Sequence, residues 1–244
     1  MRTIVSGYMI MSDSVLNISE NSRLFVYQTE YDKFFTCQNS DDYDILALKF
    51  DENIEKSKKI LTEILPNISC PLMICGCGKD ETDKLLLPEL ISGLDRQCII
   101  SYVTEKTYKS IIPSVIRGEH YAVLKTPIDI NLAKELNILC IDMGLEKGKI
   151  LMNTDIGGLG YGYEYGYSIM EKIIQERQKG DEYLMMPLLS EAGVESLKTK
   201  EAKLGSEKRS KMTELCAISG ALAAGANVVL FKYPENIKIM RGIF

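Results

Sequence analysis

The sequence has 244 residues, of which 29 are Lys or Arg and 34 are Asp or Glu, so its formal net charge is -5. This acidic balance, without a basic tail or patch, argues against a nucleic acid or an anionic membrane as partner. A hydrophobic content of 45% lets the chain bury a substantial core, which excludes a disordered protein.

Short apolar strands alternate with helical patterns along the chain. The predicted strands are residues 24–28, which form a weak candidate, and then 44–50, 72–75, 98–103, 121–124, 150–152, 183–186 and 227–231. The predicted helices are residues 54–65, 82–91, a helix from Thr104 or Thr107 to 117, and then 129–143, 164–179, 211–224 and 235–241.

Eight strand–helix units in about 250 residues predict a (β/α)8 TIM barrel, an α/β fold with a parallel sheet. If residues 24–28 are not a barrel strand, an open doubly wound sheet is the alternative. The predicted domains are an amino-terminal segment, 1–43, that can supply the first barrel strand, and a TIM-barrel domain, 44–244.

Cysteine and histidine usage limits the possible sites. Seven cysteines, an odd number, argue against a disulfide framework, and a single histidine excludes His-rich metal sites, so we expect no metal. His120 precedes a strand at the amino-terminal end of the barrel, where a structural role is expected. No apolar run reaches the roughly 18 residues of a membrane span and no signal peptide is visible, so we expect a cytoplasmic protein.

A glycine-rich loop follows the predicted strand 150–152, at the end of the barrel where ligands bind. Glycines let a ligand approach the backbone, and this loop leads into a helix amino terminus. It is not a dinucleotide motif, because Tyr165 stands where the third glycine is needed, and an ordinary turn is the alternative interpretation. The candidate ligand-binding residues here are Asn153, Thr154, Gly158, Gly160, Tyr161, Gly162 and Glu164.

Two other loops at the same end of the barrel contribute candidates. Gly76 and Cys77 follow the strand 72–75, and Cys77 is the cysteine we single out as a ligand-contacting or reactive thiol. Asp129 and Asn131 follow the strand 121–124, although Asp129 is more readily explained as a helix cap. No catalytic pair is recognisable, so we predict no catalytic residues, and the pattern favours binding over bond-breaking.

Longer stretches resemble a known family. Residues 159–165, 168–173 and 179–187 resemble the small (delta) subunit of the corrinoid iron–sulfur protein, which belongs to the acetyl-CoA decarbonylase/synthase system. Residues 71–78, 129–131 and 223–231 agree with the same family, so the resemblance covers roughly residues 44 to 244.

The resemblance implies a TIM barrel that acts as a non-catalytic, methyl-carrying subunit. Its cofactor would be a corrinoid (a cobamide) that lies between this chain and a larger corrinoid iron–sulfur subunit, against the top of the barrel. A methyltetrahydropterin-dependent methyltransferase would supply the methyl group, and acetyl-CoA synthase would receive it.

Two departures from the family pattern leave alternatives open. Asn153-Thr154 stands where the family usually has Asp-Pro, and residues 191–204 lack the family's Trp. One alternative is a methyltransferase-like barrel that acts alone and binds a pterin through Asn153, Asp129 and Asn131. The other is a scaffold subunit that has lost its ligand.

Overall fold

Eight parallel strands form the centre of the structure, a computed structural model that describes residues 8–11, 14–17, 22–36, 42–155 and 157–243. An antiparallel hairpin of β1 (Tyr8–Met11) and β2 (Ser14–Asn17) precedes them. The parallel strands are β3 (Leu24–Glu30), β4 (Ile45–Lys49), β5 (Leu72–Cys75), β6 (Ile99–Val103), β7 (Tyr121–Lys125), β8 (Ile150–Asn153), β9 (Leu189–Ser190) and β10 (Val228–Phe231).

The strand order is β8-β7-β6-β5-β4-β3-β10-β9, and a parallel bridge between Met152 and Leu188 joins the two ends of the sheet. The sheet therefore closes into a barrel, and the predicted (β/α)8 fold is confirmed. The weak candidate at 24–28 is the strand β3, which pairs with β4 on one side and β10 on the other. An open doubly wound sheet is thereby excluded.

Helices surround the barrel and connect its strands. They are α1 (Ile54–Ile64), α2 (Asp80–Ile91), α3 (Tyr108–Arg117), α4 (Ile130–Asp142), α5 (Tyr163–Lys179), α6 (Ala192–Ser196), α7 (Lys200–Leu204), α8 (Glu207–Ala223) and α9 (Pro234–Arg241). Within the described ranges, none of them has both the length and the apolar character needed to cross a bilayer.

The predicted strand at 183–186 is wrong. Glu182–Leu184 is a turn of 3-10 helix, and the barrel strand lies further along, at Leu189–Ser190. The buried side chain of Arg177 donates hydrogen bonds to the carbonyl oxygens of Leu184 and Met186, which accounts for an irregular yet buried backbone there. The segment 187–210 contains β9, α6, α7 and the start of α8.

The pairing register separates the two faces of the barrel wall. Phe25 and Phe231 meet edge-to-face at 5.6 Å between ring centroids, and the Arg241 guanidinium of α9 lies over Phe25, so these residues face the helices. Side chains alternate along a strand. Gln28 and Glu30 must therefore face the barrel interior.

His120 lies at the amino-terminal end of β7, away from the ligand-binding end of such barrels. Its Nδ1 accepts a hydrogen bond of 3.2 Å from the backbone N–H of Cys98, and only 3% of the residue is exposed. Burial lowers the pKa of His120 to about 4, so the ring is neutral in the folded protein. This contact gives His120 a structural role between β6 and β7.

Replacing His120 by Asn should remove one source of acid sensitivity. The pKa of His120 is about 4 in the folded protein, below its ordinary value of 6.5. The stability that comes from burying the neutral ring is therefore complete above pH 6.5 and is lost as the pH falls toward 4. From about pH 7.5 to about pH 5, wild type should lose about 2 kcal/mol of unfolding free energy more than His120→Asn, whose amide oxygen can still accept from Cys98. Urea denaturation at both pH values measures this, and parallel losses would contradict it.

Candidate functional site

A ring of mostly polar side chains occupies the last interior positions of the barrel strands, at their carboxyl ends. Register pairs connect Glu30 with Lys49, Lys49 with Cys75, Cys75 with Ser101, and Lys125 with Asn153. Partners in register share a face of a parallel sheet. We call this set the mouth ring; its members are Glu30, Lys49, Cys75, Ser101, Lys125, Asn153, Glu191 and Lys232.

A buried ion pair between Lys125 and Glu191 crosses the mouth ring from β7 to the residue after β9. The Glu191 side chain is 4% exposed and also accepts a hydrogen bond of 3.3 Å from Asn153 Nδ2. Burial alone would raise the pKa of Glu191, but Lys125 outweighs it and the pKa is lowered. Burial would likewise lower the pKa of Lys125, but Glu191 raises it, so both groups are charged at neutral pH.

The ring of Tyr102 lies beneath this pair, with Lys125 Nζ at 4.6 Å from the ring centroid. The β6–β7 register is irregular between Ile100 and Val103, which lets Ser101 and Tyr102 both reach the barrel interior. Burial, and then the Glu191 charge, raise the pKa of Tyr102 well above its ordinary value. Tyr102 therefore fills the mouth as a neutral phenol.

Asp155 joins the ends of β8 and β9. Its Oδ2 accepts hydrogen bonds from Ser190 Oγ at 2.7 Å and from the Glu191 backbone N–H at 2.6 Å. Burial raises the pKa of Asp155 to about 6, and the nearby Glu191 charge adds to this effect. The charge of Asp155 therefore changes close to neutral pH.

The thiol of Cys75 is enclosed in the mouth ring. Ser101 Oγ lies 3.2 Å from Cys75 Sγ and Gln28 Nε2 lies 3.8 Å from it, both as donors. Burial raises the pKa of Cys75 to about 11, so the thiol stays protonated. A thiolate nucleophile is not expected at this position.

Four buried polar atoms near the mouth have no hydrogen-bond partner among the described residues. One is the Tyr102 hydroxyl, which faces Glu191. The other three are Gln28 Oε1, Thr126 Oγ1 and Thr154 Oγ1, on residues at or just beyond the carboxyl ends of β3, β7 and β8. Buried polar groups are nearly always hydrogen-bonded, and an exception calls for a bound molecule or water. These three atoms therefore have unused hydrogen-bonding capacity near the carboxyl ends of the strands.

Asn153 and Thr154 are the predicted site residues that the structure places at the mouth, and both are buried. The glycine-rich loop takes a different position, on the rim beside α6 and α7. A side chain at Gly158 would collide with the backbone of Ser196, and the Leu159 N–H donates to Ser196 Oγ at 3.0 Å. Gly158 is thus explained by packing against α6.

Gly160, Tyr161 and Glu164 are exposed at the rim, and Gly162 is half-buried. Gly160 and Gly162 have φ of +77° and +102°, the left-handed conformation that favours glycine. Tyr161 is 52% exposed, and its hydroxyl donates to Glu201 Oε1 at 3.1 Å. Glu164 is an exposed first-turn residue of α5. A ligand role for these four residues remains a prediction.

Gly76 and Cys77 pack against the side chain of Asp83. The Asp83 carboxylate accepts hydrogen bonds from the Cys77 N–H at 2.8 Å and the Gly78 N–H at 2.9 Å. A Cβ on Gly76 would collide with this same carboxylate. Burial, followed by the Asp83 contact, raises the pKa of Cys77, which argues against an activated thiol.

Asp129 is the cap of α4. Its Oδ1 accepts hydrogen bonds from the backbone N–H groups of Asn131 at 2.9 Å and Leu132 at 3.0 Å, as the capping interpretation predicts. Asn131 is exposed in the first turn of the helix. Both residues lie outside the hydrogen-bonded cluster around Lys125 and Glu191.

Two surface grooves lie away from the mouth ring. One, of about 440 Å³, is near the amino-terminal end of the barrel and is lined in part by Arg96, Arg117 and His120. The other, of about 720 Å³, lies between α1 and α2. Because barrels of this type bind ligands at the opposite end from His120, the unpaired polar atoms are the better guide to the site.

Sequence reasoning missed Tyr102, Lys125 and Glu191 as site residues. Lys125 had a detectable signal, since it is the polar last residue of an otherwise apolar strand. Tyr102 had none, because its orientation depends on the irregular register of β6. Glu191 was hidden by the misplaced strand at 183–186.

Comparison with known proteins decides the family. A model of the family described as CO dehydrogenase/acetyl-CoA synthase delta subunit matches residues 9–242. The chain belongs to this family. Residues 168–173 and 228–231, which carried part of the sequence resemblance, lie in α5 and β10.

Curated delta-subunit relatives are moderately similar. The acetyl-CoA decarbonylase/synthase complex subunit delta of Methanocaldococcus jannaschii is 25% identical over 202 residues, which cover 79% of this chain and 49% of the relative. The subunit of the same name from Methanopyrus kandleri is 29% identical over 143 residues, covering 57% of this chain and 36% of the relative. The chain thus spans about half or less of these relatives' length.

Solved structures of dihydropteroate synthases have the same fold. The enzyme from Xanthomonas albilineans with 4-aminobenzoic acid superposes with a TM-score of 0.66 at 10% identity, covering 94% of each chain. The enzyme from Thermus thermophilus gives 0.63 at 13% identity, covering 100% of this chain and 98% of that one. At these identities the likeness establishes the barrel fold alone.

Replacing Lys125 by Met should leave a buried, unpaired carboxylate at Glu191. We expect a loss of about 3 kcal/mol in unfolding free energy, and recovery of most of it in the double variant Lys125→Met/Glu191→Gln. Lys58→Met, which breaks an exposed pair with Glu89, is the matched control and should change stability little. Urea denaturation at neutral pH measures all three, and equal effects of the two single variants would contradict the assignment.

Proposed function

We propose that this chain is a corrinoid-binding methyl-carrier subunit of an acetyl-CoA decarbonylase/synthase or related methyl-transfer system. Family membership supports this proposal. The observation that carries it is the set of buried, unpaired oxygens at the mouth, namely Gln28 Oε1, Thr126 Oγ1 and Thr154 Oγ1. Each of them can accept a hydrogen bond from a ligand that covers the barrel end.

A corrinoid suits these atoms chemically. It is a wide macrocycle whose peripheral amide arms carry N–H donors, and such donors complement unpaired buried oxygens. Because Tyr102 and the Lys125–Glu191 pair fill the centre of the mouth, the macrocycle would lie across the rim rather than enter the barrel. When bound, it supplies a cobalt centre that can accept and release a methyl group.

The residues of this chain would hold and orient the cofactor. Cys75 is a protonated, enclosed thiol and does not offer a ready nucleophile. Lys125 and Glu191 neutralise each other, so this pair does not offer a ready base. This arrangement favours a binding role for the mouth. The larger corrinoid iron–sulfur subunit and the methyltransferase are the proposed partners, with the corrinoid shared between this chain and the larger subunit.

A ligand-free scaffold is less well supported. That alternative expects the glycine-rich loop to fold into the mouth. Instead, Gly158 packs against Ser196 and Tyr161 bonds to Glu201 on the outer side of the rim. The unpaired oxygens at the mouth also argue for an occupant.

Titration of the full chain with a cobamide, alone and with the larger subunit, should change the visible absorbance of the corrinoid. Thr154→Val removes Oγ1 at nearly constant volume and should weaken binding about fivefold, the value of one hydrogen bond. Thr62→Val, on the exposed face of α1, is the control and should leave binding unchanged. A flat titration in both settings would overturn the proposal.

A reduced pterin is the second candidate ligand, favoured by the buried cluster of Asp155, Asn153 and Lys125. A carboxylate beside an amide can accept from and donate to the amino and carbonyl groups of a pterin ring. One of the similar dihydropteroate synthases was solved in complex with 7,8-dihydropteroate. In this alternative, Asp155 is the central acceptor.

Calorimetry with a methyltetrahydropterin tests the second candidate. Because the pKa of Asp155 is about 6, its carboxylate is the acceptor only above that pH, so affinity should fall as the pH drops through 6. Asp155→Asn should weaken binding about tenfold and remove this pH dependence. Exposed Asp142→Asn on α4 is the control, and absence of heat with wild type eliminates the pterin candidate.

A further inference from the structure

Lys49 differs from the other lysines of the mouth ring. It is the last residue of β4, and its register partners Glu30 and Cys75 place it on the interior face of the barrel. Lys125 pairs with Glu191, and Lys232 Nζ lies 3.2 Å from Glu30 Oε1. In the part of the chain that the structure describes, the side chain of half-buried Lys49 has neither an ion pair nor a hydrogen bond.

Gln28 supplies a second unpaired group on the neighbouring strand. It is 4% exposed, and its register partner on β4 is the small Ala47, two residues before Lys49. Its Nε2 lies 3.8 Å from Cys75 Sγ, which shows that the side chain extends across β4 toward β5. The other end of the amide, Oε1, is buried without a partner among the described residues.

The two groups call for a ligand that both accepts and donates. Lys49 offers N–H donors only, and Gln28 leaves one end of its amide unpaired. A primary carboxamide has a carbonyl oxygen for Lys49 and an N–H donor for Gln28 Oε1. A carboxylate or an ester lacks the donor.

We propose that Lys49 and Gln28 form a subsite for a primary carboxamide arm of the ligand at the barrel mouth. This inference rests on the proposed corrinoid function and specifies which part of the cofactor this edge of the mouth recognises. The other charges of the ring are already paired within the chain, so Lys49 and Gln28 give the β3–β4 edge of the mouth an ammonium and an amide oxygen that are both available to a ligand. Recognition there depends on the arm's amide nitrogen.

Paired titrations with two corrinoids test the subsite. Cobinamide carries carboxamide arms, whereas cobyrinic acid heptamethyl ester carries ester arms in their place, and visible absorbance follows the binding of both to the full chain. Wild type should prefer cobinamide. Gln28→Leu should weaken cobinamide binding about fivefold and leave ester binding unchanged, which reduces that preference.

Lys49→Met provides a second variant at a half-buried, unpaired position, where folding is not at risk. It should weaken the binding of both corrinoids about tenfold, because either carbonyl can accept from the ammonium. The controls are Gln97→Leu, near the opposite end of the barrel, and Lys172→Met, exposed on α5. Neither control should change either affinity.

The outcomes separate the two proposals. Failure of wild type to bind either corrinoid, alone or with the larger subunit, would overturn the corrinoid function and the subsite with it. Normal binding with an undiminished cobinamide preference in Gln28→Leu, or unchanged affinities in Lys49→Met, would overturn the subsite alone. Circular dichroism confirms that each variant is folded.

Discussion

The organisation of the barrel mouth depends on the buried ion pair between Lys125 and Glu191. Removing two charges from water is costly and is offset only when the partners are close and well surrounded. Here Asn153 donates to Glu191, and the Tyr102 ring lies against the lysine ammonium. The pair connects β7 with the end of β9, the shortest barrel strand, and so stabilises the mouth where the backbone ladder is weakest.

Strand register determines which side chains can take part in this site. Below the mouth the wall of the barrel is largely apolar, with Gln28 as a polar exception, while its last interior positions carry lysine, glutamate, asparagine and serine. The internal charges are largely matched by one another. Among the described residues, the unpaired groups include one ammonium on β4 and three buried oxygens near the strand ends. These groups suit the binding of an amide-bearing ligand better than they suit nucleophilic catalysis.

Much of the fold could be predicted from the sequence, because alternating apolar strands and helical patterns leave few architectures for a chain of this length. The segment 183–186 misled because it is apolar and buried without being a strand, and only the contacts of Arg177 distinguish the two cases. Asn153 and Thr154 could be placed at the mouth from their position after a strand. The mouth ring as a whole could not, since it depends on pairing register and on contacts between residues distant in sequence.

Lysine footprinting by acetylation and mass spectrometry, with and without bound cobinamide, tests the central claim most directly. If the ligand covers the mouth, binding should protect Lys49 and leave Lys58 on α1 and Lys172 on α5 as reactive as before. Protection of the outer lysines with unchanged labelling of Lys49 would show that the corrinoid binds elsewhere and would contradict the account.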